Sequence, residues 1–163
     1  KGGAMKPILK PILNIDEVQP EPFQMGEFEG AYGQISSRLG AKKLGYNLSV
    51  IPPGKSICPF HNHWVNEEML LILQGEGRLR YGEQEFAVKA WDIIACPAGD
   101  RQVAHQLFNS GLTDLKFLAL STKEPSDIVE YPDTNKIGAS VGDYPNYQLQ
   151  YFFKTDSQVG YLD

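Results

Sequence analysis

Along residues 46–120, apolar and polar positions alternate in short runs, with turn residues roughly every 6–12 positions. That is the pattern of strands rather than helices. Tyr46, Leu48 and Val50 share one face of a strand that Pro52-Pro53-Gly54 ends. Residues 57–63 read as a strand that presents His61 and His63 together, because side chains two apart on a strand point the same way. Residues 67–74 read as the next strand, with Glu68, Leu70 and Ile72 on one face and Met69, Leu71 and Leu73 on the other. A strand apolar on both faces must be covered on both, by a second sheet, by the tail or by a partner subunit. A homodimer is therefore expected. Gly75-Glu76-Gly77 and Tyr81-Gly82-Glu83-Gln84 read as hairpin turns. Further strands are expected over residues 91–97, 105–109 and 115–120. About eight short strands at this spacing predict an all-β sandwich or jelly-roll barrel.

The flanks read differently. Residues 1–30 form an irregular N-terminal arm, where Pro7, Pro11, Pro20 and Pro22 break any helix and Ile8, Leu9, Ile12, Leu13 and Ile15 supply anchors. One or two short edge strands are expected in it, and Lys1-Gly2-Gly3-Ala4 reads as a cloning remnant ahead of Met5. Residues 31–123 make the barrel domain. Residues 124–163 make an extended tail, with a strand over residues 147–153 whose aromatic face (Tyr147, Tyr151, Phe153) should pack rather than sit in water. That tail is expected to lie over the barrel or to narrow its mouth.

Composition narrows the function classes. At 163 residues one domain is the natural reading. A net charge of −5 argues against nucleic acid, where a basic face would supply the affinity. No apolar run reaches the length of a membrane span and no secretory signal is visible, so a cytoplasmic protein is expected. Cys58 and Cys96 are too few for a disulfide framework and read as buried thiols, with a redox pair or a soft metal ligand as the sharper alternative.

The chemistry gathers at Pro59-Phe60-His61-Asn62-His63-Trp64-Val65-Asn66-Glu67-Glu68. Only three histidines occur in the chain; two are here and the third, His105, follows Pro97-Ala98-Gly99. Two imidazoles on one strand face, with a carboxylate from the next segment, can meet at one metal ion. Glu67 is the alternative carboxylate to Glu68.

These two stretches resemble the paired motifs of the cupin superfamily. The first motif, G-x5-H-x-H-x3,4-E-x6-G, is matched from His61 through His63, Glu68 and Gly75, with Gly54 one residue too far upstream. The second, G-x5-P-x-G-x2-H-x3-N, is matched at Pro97, Gly99, His105 and Asn109. Trp91 stands at its first glycine, and the segment between Gly99 and His105 is three residues longer than the pattern. The resemblance implies a single double-stranded β-helix (jelly-roll) barrel. It also implies one divalent transition metal ion (Fe, Mn, Ni, Zn or Cu) on His61, His63, Glu68 and His105. Gln106 and Asn109 are candidates to hold a ligand histidine by its outer nitrogen, and Arg101 to meet an anionic substrate at the barrel mouth. Phe60, Trp64 and Tyr81 are candidate pocket-lining residues. What the resemblance implies for function is a metal-dependent enzyme on a small polar molecule, dioxygenase-like or sugar isomerase- or epimerase-like. The alternative is a small-molecule binder or sensor without catalysis. An isomerase would also need a base, for which Glu67, a lysine or a tyrosine is available.

Overall fold

The computed structural model describes residues 10–144 and 146–162. The expected anchors Ile8 and Leu9 and the residues around Met5 lie outside them. Thirteen strands and four three-residue 3-10 turns make up the secondary structure of the described residues, and there is no α-helix among them.

One sheet of six strands runs β1 (Glu21–Met25), β2 (Phe28–Gln34), β3 (Leu44–Ile51), β10 (Leu115–Thr122), β5 (Glu68–Gln74) and β8 (Ile93–Cys96). Opposite it lie a three-stranded sheet and a four-stranded sheet. The first is β7 (Gln84–Lys89), β6 (Glu76–Tyr81) and β9 (His105–Phe108). The second is β4 (Asn62–His63), β11 (Ser126–Tyr131), β12 (Lys136–Asp143) and β13 (Asn146–Lys154). A single bridge between His61 and His105 joins these two smaller sheets. Ile51, Ile72, Leu115 and Phe117 of the large sheet pack with Leu79, Val88 and Leu107 from the other side in one buried cluster. The result is the all-β jelly roll that the spacing predicts.

Leu70 and Ile72 of β5 are buried in that core, as the alternation requires. On the opposite face, Leu73 and Leu118 pack against Val18, Ile35 and Leu48, with Leu13 and Ile15 alongside. The chain's own N-terminal segment thus supplies part of the cover expected from a second sheet, the tail or a partner subunit. Gly33 allows this close approach, since a Cβ there would meet Val18 Cγ1 at 2.4 Å.

Four details differ from the sequence reading. Gly75 does not turn a hairpin: β5 pairs with β10 and β8, whereas β6 pairs with β7 and β9. The chain changes sheets there, at φ +85, where a Cβ would lie 2.6 Å from the Asp114 carbonyl oxygen. The Gly82-Glu83 hairpin between β6 and β7 forms as expected, with Tyr81 opposite Gln84. The strand expected over residues 57–63 shrinks to Asn62–His63, because residues 57–60 turn instead of pairing.

The third difference lies in β13. A register shift opposite Val141 and Gly142 reverses the facing of its start. Tyr147 therefore shares a cavity wall with Gln150 and Phe152. Leu149, Tyr151 and Phe153 remain 41–65% exposed rather than packed. Gly142 makes the bulge possible, at φ +100. The fourth lies in the segment read as a tail with a strand over residues 147–153 alone: β11 and β12 form there as well and pair with each other and with β13. Trp91, at the motif's glycine position, adopts left-handed backbone at φ 76 and leaves its side chain 75% exposed.

Candidate metal centre

His61 lies on the bridge to His105, His63 is the second residue of β4, Glu68 opens β5 and His105 opens β9. The three imidazoles converge on one carboxylate oxygen. Glu68 Oε2 stands 3.2 Å from His105 Nε2, 3.7 Å from His63 Nε2 and 3.9 Å from His61 Nε2. His61, Glu68 and His105 each bring a ligand atom within 4.8 Å of the others. His63 stands beside this group rather than within it, its imidazole presented from β4 edge-on to His61 at 5.2 Å. Glu67 is exposed and its backbone N–H donates to Thr122 Oγ1, so the geometry chooses Glu68 between the two carboxylates.

The outward nitrogens explain the inward ones. His61 Nδ1 lies 2.8 Å from the Pro59 carbonyl, His105 Nδ1 3.2 Å from the Val103 carbonyl, and His63 Nδ1 2.5 Å from Asp127 Oδ2. Each acceptor can keep a proton on Nδ1, so that a ring giving up its Nε2 proton turns that lone pair inward. That is the tautomer a metal ion takes. Without an ion, His105 Nε2–H instead donates to Glu68 at 3.2 Å. The donor set of three imidazoles and one carboxylate fits a first-row divalent ion.

The three residues that lengthen the second motif form part of this arrangement. Asp100 caps a 3-10 turn at Arg101–Val103 by accepting from the Gln102 N–H at 2.9 Å, and that turn presents the Val103 carbonyl to His105. Gly99 fastens β4 from both ends of its peptide. Its N–H donates to the His63 carbonyl and its own carbonyl accepts from Asn62 Nδ2, each at 2.8 Å.

Asp127 is the functional residue that the sequence reading missed. It is 7% exposed and lies on β11, in the segment read as a tail. Besides His63 it accepts from Asn66 Nδ2 at 2.9 Å and from the backbone N–H groups of Val65 and Ile128. Burial would raise its pKa, but the hydrogen bonds from His63 and Asn66 hold it below its ordinary 3.8. For His63, burial favours the neutral ring, and the Asp127 hydrogen bond with the charges of Glu68 and Asp127 outweighs it, so its pKa lies above 6.5. Burial likewise opposes ionisation of Glu68, yet the hydrogen bond from His105 and the three neighbouring histidines bring it down to about 2.

The other candidates fall outside the cluster. Arg101 is paired with Glu130 at 2.5 Å. Gln106 Nε2 donates to the Cys58 carbonyl at 2.9 Å. Asn109 ties the turn after β9 to the Ile51 and Thr113 carbonyls. Phe60 is buried under the Arg80 guanidinium, 3.7 Å from its ring, while Trp64 is exposed and Tyr81 packs on the core. Both cysteines are free thiols. Burial pushes the Cys96 thiol up, and Cys58 borders a cavity beside His61.

Two cavities open onto the cluster. The larger, about 440 Å³, reaches His63 and Glu68 and is walled by polar groups including Tyr32, Asn47, Asn66 and Ser121. The smaller, about 210 Å³, reaches His61 and His63. Strands β11 to β13 wall both.

Residues 47–121 match the cupin domain. An oxalate-binding protein of Thermotoga maritima is 28% identical over 116 residues, which span 67% of this chain and 91% of that protein. Two solved structures described as sugar phosphate isomerases share the fold. The one from Acidithiobacillus ferrooxidans has a TM-score of 0.81 at 20% identity, covering 93% of this chain and 96% of that one. The one from Silicibacter pomeroyi has a TM-score of 0.76 at 22% identity, covering 90% and 94%.

Proposed function

The chain belongs to the cupin superfamily, and from that premise we propose that it is a metal-dependent enzyme acting on a small molecule that offers oxygen donors. His61, His63, Glu68 and His105 hold one divalent transition metal ion in this reading. One observation carries it: three Nε2 atoms face a single carboxylate oxygen, each fixed from behind through Nδ1. When bound, such an ion supplies Lewis-acid polarisation of a ligand oxygen or, if redox-active, chemistry with dioxygen. The oxalate-binding relative supports a small carboxylate-bearing ligand, and the sugar phosphate isomerases support the fold alone.

The chain's own groups set the rest. Burial raises the hydroxyl pKa of both Tyr32 and Tyr147, so at neutral pH they face the larger cavity as protonated donors to ligand oxygens rather than as bases. Glu67 is turned to solvent. Glu124 borders the same cavity and is offered in this reading as a proton acceptor for an isomerase. A second reading, binding without catalysis, draws on the relative's description as a binding protein. Among the described residues no helix is long and apolar enough to cross a membrane. We keep a homodimer in the cytoplasm as a proposal. Light scattering on the eluted protein tests the dimer.

Metal content measured by plasma mass spectrometry tests the central claim. Close to one transition metal ion per chain is expected, and it should fall below a tenth of that in His61→Ala and in His105→Ala. Metal retained by both variants, or none taken up by the parent on reconstitution, would overturn it. Product formation from oxalate or a sugar phosphate by the loaded protein separates the enzyme from the binder.

A further inference from the structure

The smaller cavity has a character of its own. It meets the larger one at His63, Val129, Ser140 and Tyr147, so both open onto the same cluster. Its remaining walls include Cys58, Pro59, Tyr131, Ala139 and Phe152, which are mostly apolar or aromatic. A row of rings leads outward from the cluster: His61 to Tyr131 at 6.3 Å with planes 30° apart, then Tyr131 to Phe152 at 6.3 Å. Gly138 leaves room for the last of them, since a Cβ there would meet the Phe152 ring at 2.8 Å. Phe152 is still 57% exposed, so an apolar group in the cavity would take part of its ring out of water.

Size supports an occupant larger than a bare dicarboxylate. A dry apolar cavity of about 150 Å³ accepts a benzene ring, and this one measures about 210 Å³. Oxalate has no apolar part to place there. Tyr131, Gly138, Ala139 and Phe152 all belong to β11, β12 and β13, beyond the residues that match the cupin domain.

We propose that this cavity is a specificity subsite that takes a planar apolar arm of the ligand, while the oxygen-donor head of the same ligand sits at the histidine–glutamate cluster. The inference rests on the metal-centre reading for the head and on the aromatic wall for the arm. Phe152 and Tyr131 are specificity residues in it and touch no reacting atom.

Two probes with the same head separate the two claims: pyruvate, and phenylpyruvate, which adds a phenyl ring. Each is titrated calorimetrically into the metal-loaded full chain. Phenylpyruvate is expected to bind at least tenfold more tightly than pyruvate. Phe152→Ala should reduce that ratio to threefold or less and leave the pyruvate Kd unchanged. Tyr151→Ala, on the opposite face of the same strand, should leave the ratio intact, and circular dichroism checks that both variants fold. Equal affinities in the parent, or a preference that survives Phe152→Ala, would overturn the subsite even if His105→Ala abolishes pyruvate binding and upholds the metal centre. Phenylpyruvate binding that depends on Phe152 without any pyruvate binding would uphold the subsite and overturn the shared head. Failure of both probes overturns both.

Discussion

At the scale of single residues, Asp127 decides how well the cluster is held. It fixes His63 through Nδ1 and also anchors Asn66 and the backbone of Val65. Asp127→Asn keeps the shape and loses the charge, and a partner of this kind is worth roughly 10–100-fold in metal affinity. A loss of that size in a competition titration with a chelating dye is expected. The same pair sets a pH dependence. Because the folded pKa of His63 lies above 6.5, the His63–Asp127 ion pair contributes its full stability to the metal-free protein below pH 6.5. That contribution fades as pH rises through the raised value. Metal uptake runs the other way, since the second proton of the imidazolium sits on Nε2 and must leave first. Melting temperature without metal should therefore fall, and apparent metal affinity rise, over one window above pH 6.5; opposite slopes in either would contradict the assignment. Trp91 offers a test of strain. A non-glycine residue in left-handed backbone costs about 1–2 kcal/mol, and this side chain covers little. Trp91→Gly should accordingly stabilise by about 1 kcal/mol in a denaturant titration. The four proposed ligands were legible in the sequence because His61, His63 and Glu68 lie within eight residues of one another and His105 falls in the second of the paired motifs. Asp127 was not, because its partner lies 64 residues away and nothing in Pro125-Ser126-Asp127-Ile128 marks it.

At the scale of elements, the two-residue strand β4 carries the argument. It is paired by β11 on one side, Val129 to His63, and joined through His61 to His105 on the other. Removing residues 124–163 leaves all four proposed ligands and every residue of the cupin-domain match in place. It also removes Asp127 and the only named strand partner of β4 among the described residues. The shortened chain should bind metal at least tenfold more weakly than the parent, and undiminished binding would show the hairpins to be dispensable. The sequence placed most strands because alternation reports which face is buried. It missed the facing of Tyr147, because one bulge reverses the alternation without altering the sequence pattern. It also misread Gly75, where the composition is that of a hairpin and the neighbours that decide the matter, Asp114 and Leu115, come from far along the chain.

At the scale of the whole molecule, stability rests on the cluster shared by the facing sheets. Ile72 and Leu115 are fully buried at its centre. Ile72→Ala should cost about 2–5 kcal/mol in equilibrium unfolding, without changing which metal the folded protein takes. The fold class was readable from periodicity alone, whereas the cover over Leu73 by Val18 and Ile35 was not, since two-sided apolarity does not say which surface arrives. The seam between the smaller sheets also governs the order of events in time. His105 meets Glu68 across 37 residues and Asp127 meets His63 across 64. Closing such long loops is slow, and it follows local hairpins. A ribosome that has released only the residues up to β10 holds a chain whose four proposed ligands still lack the support of Asp127. Under the proposed function, tight capture of an ion then waits until β11 has emerged to clasp His63.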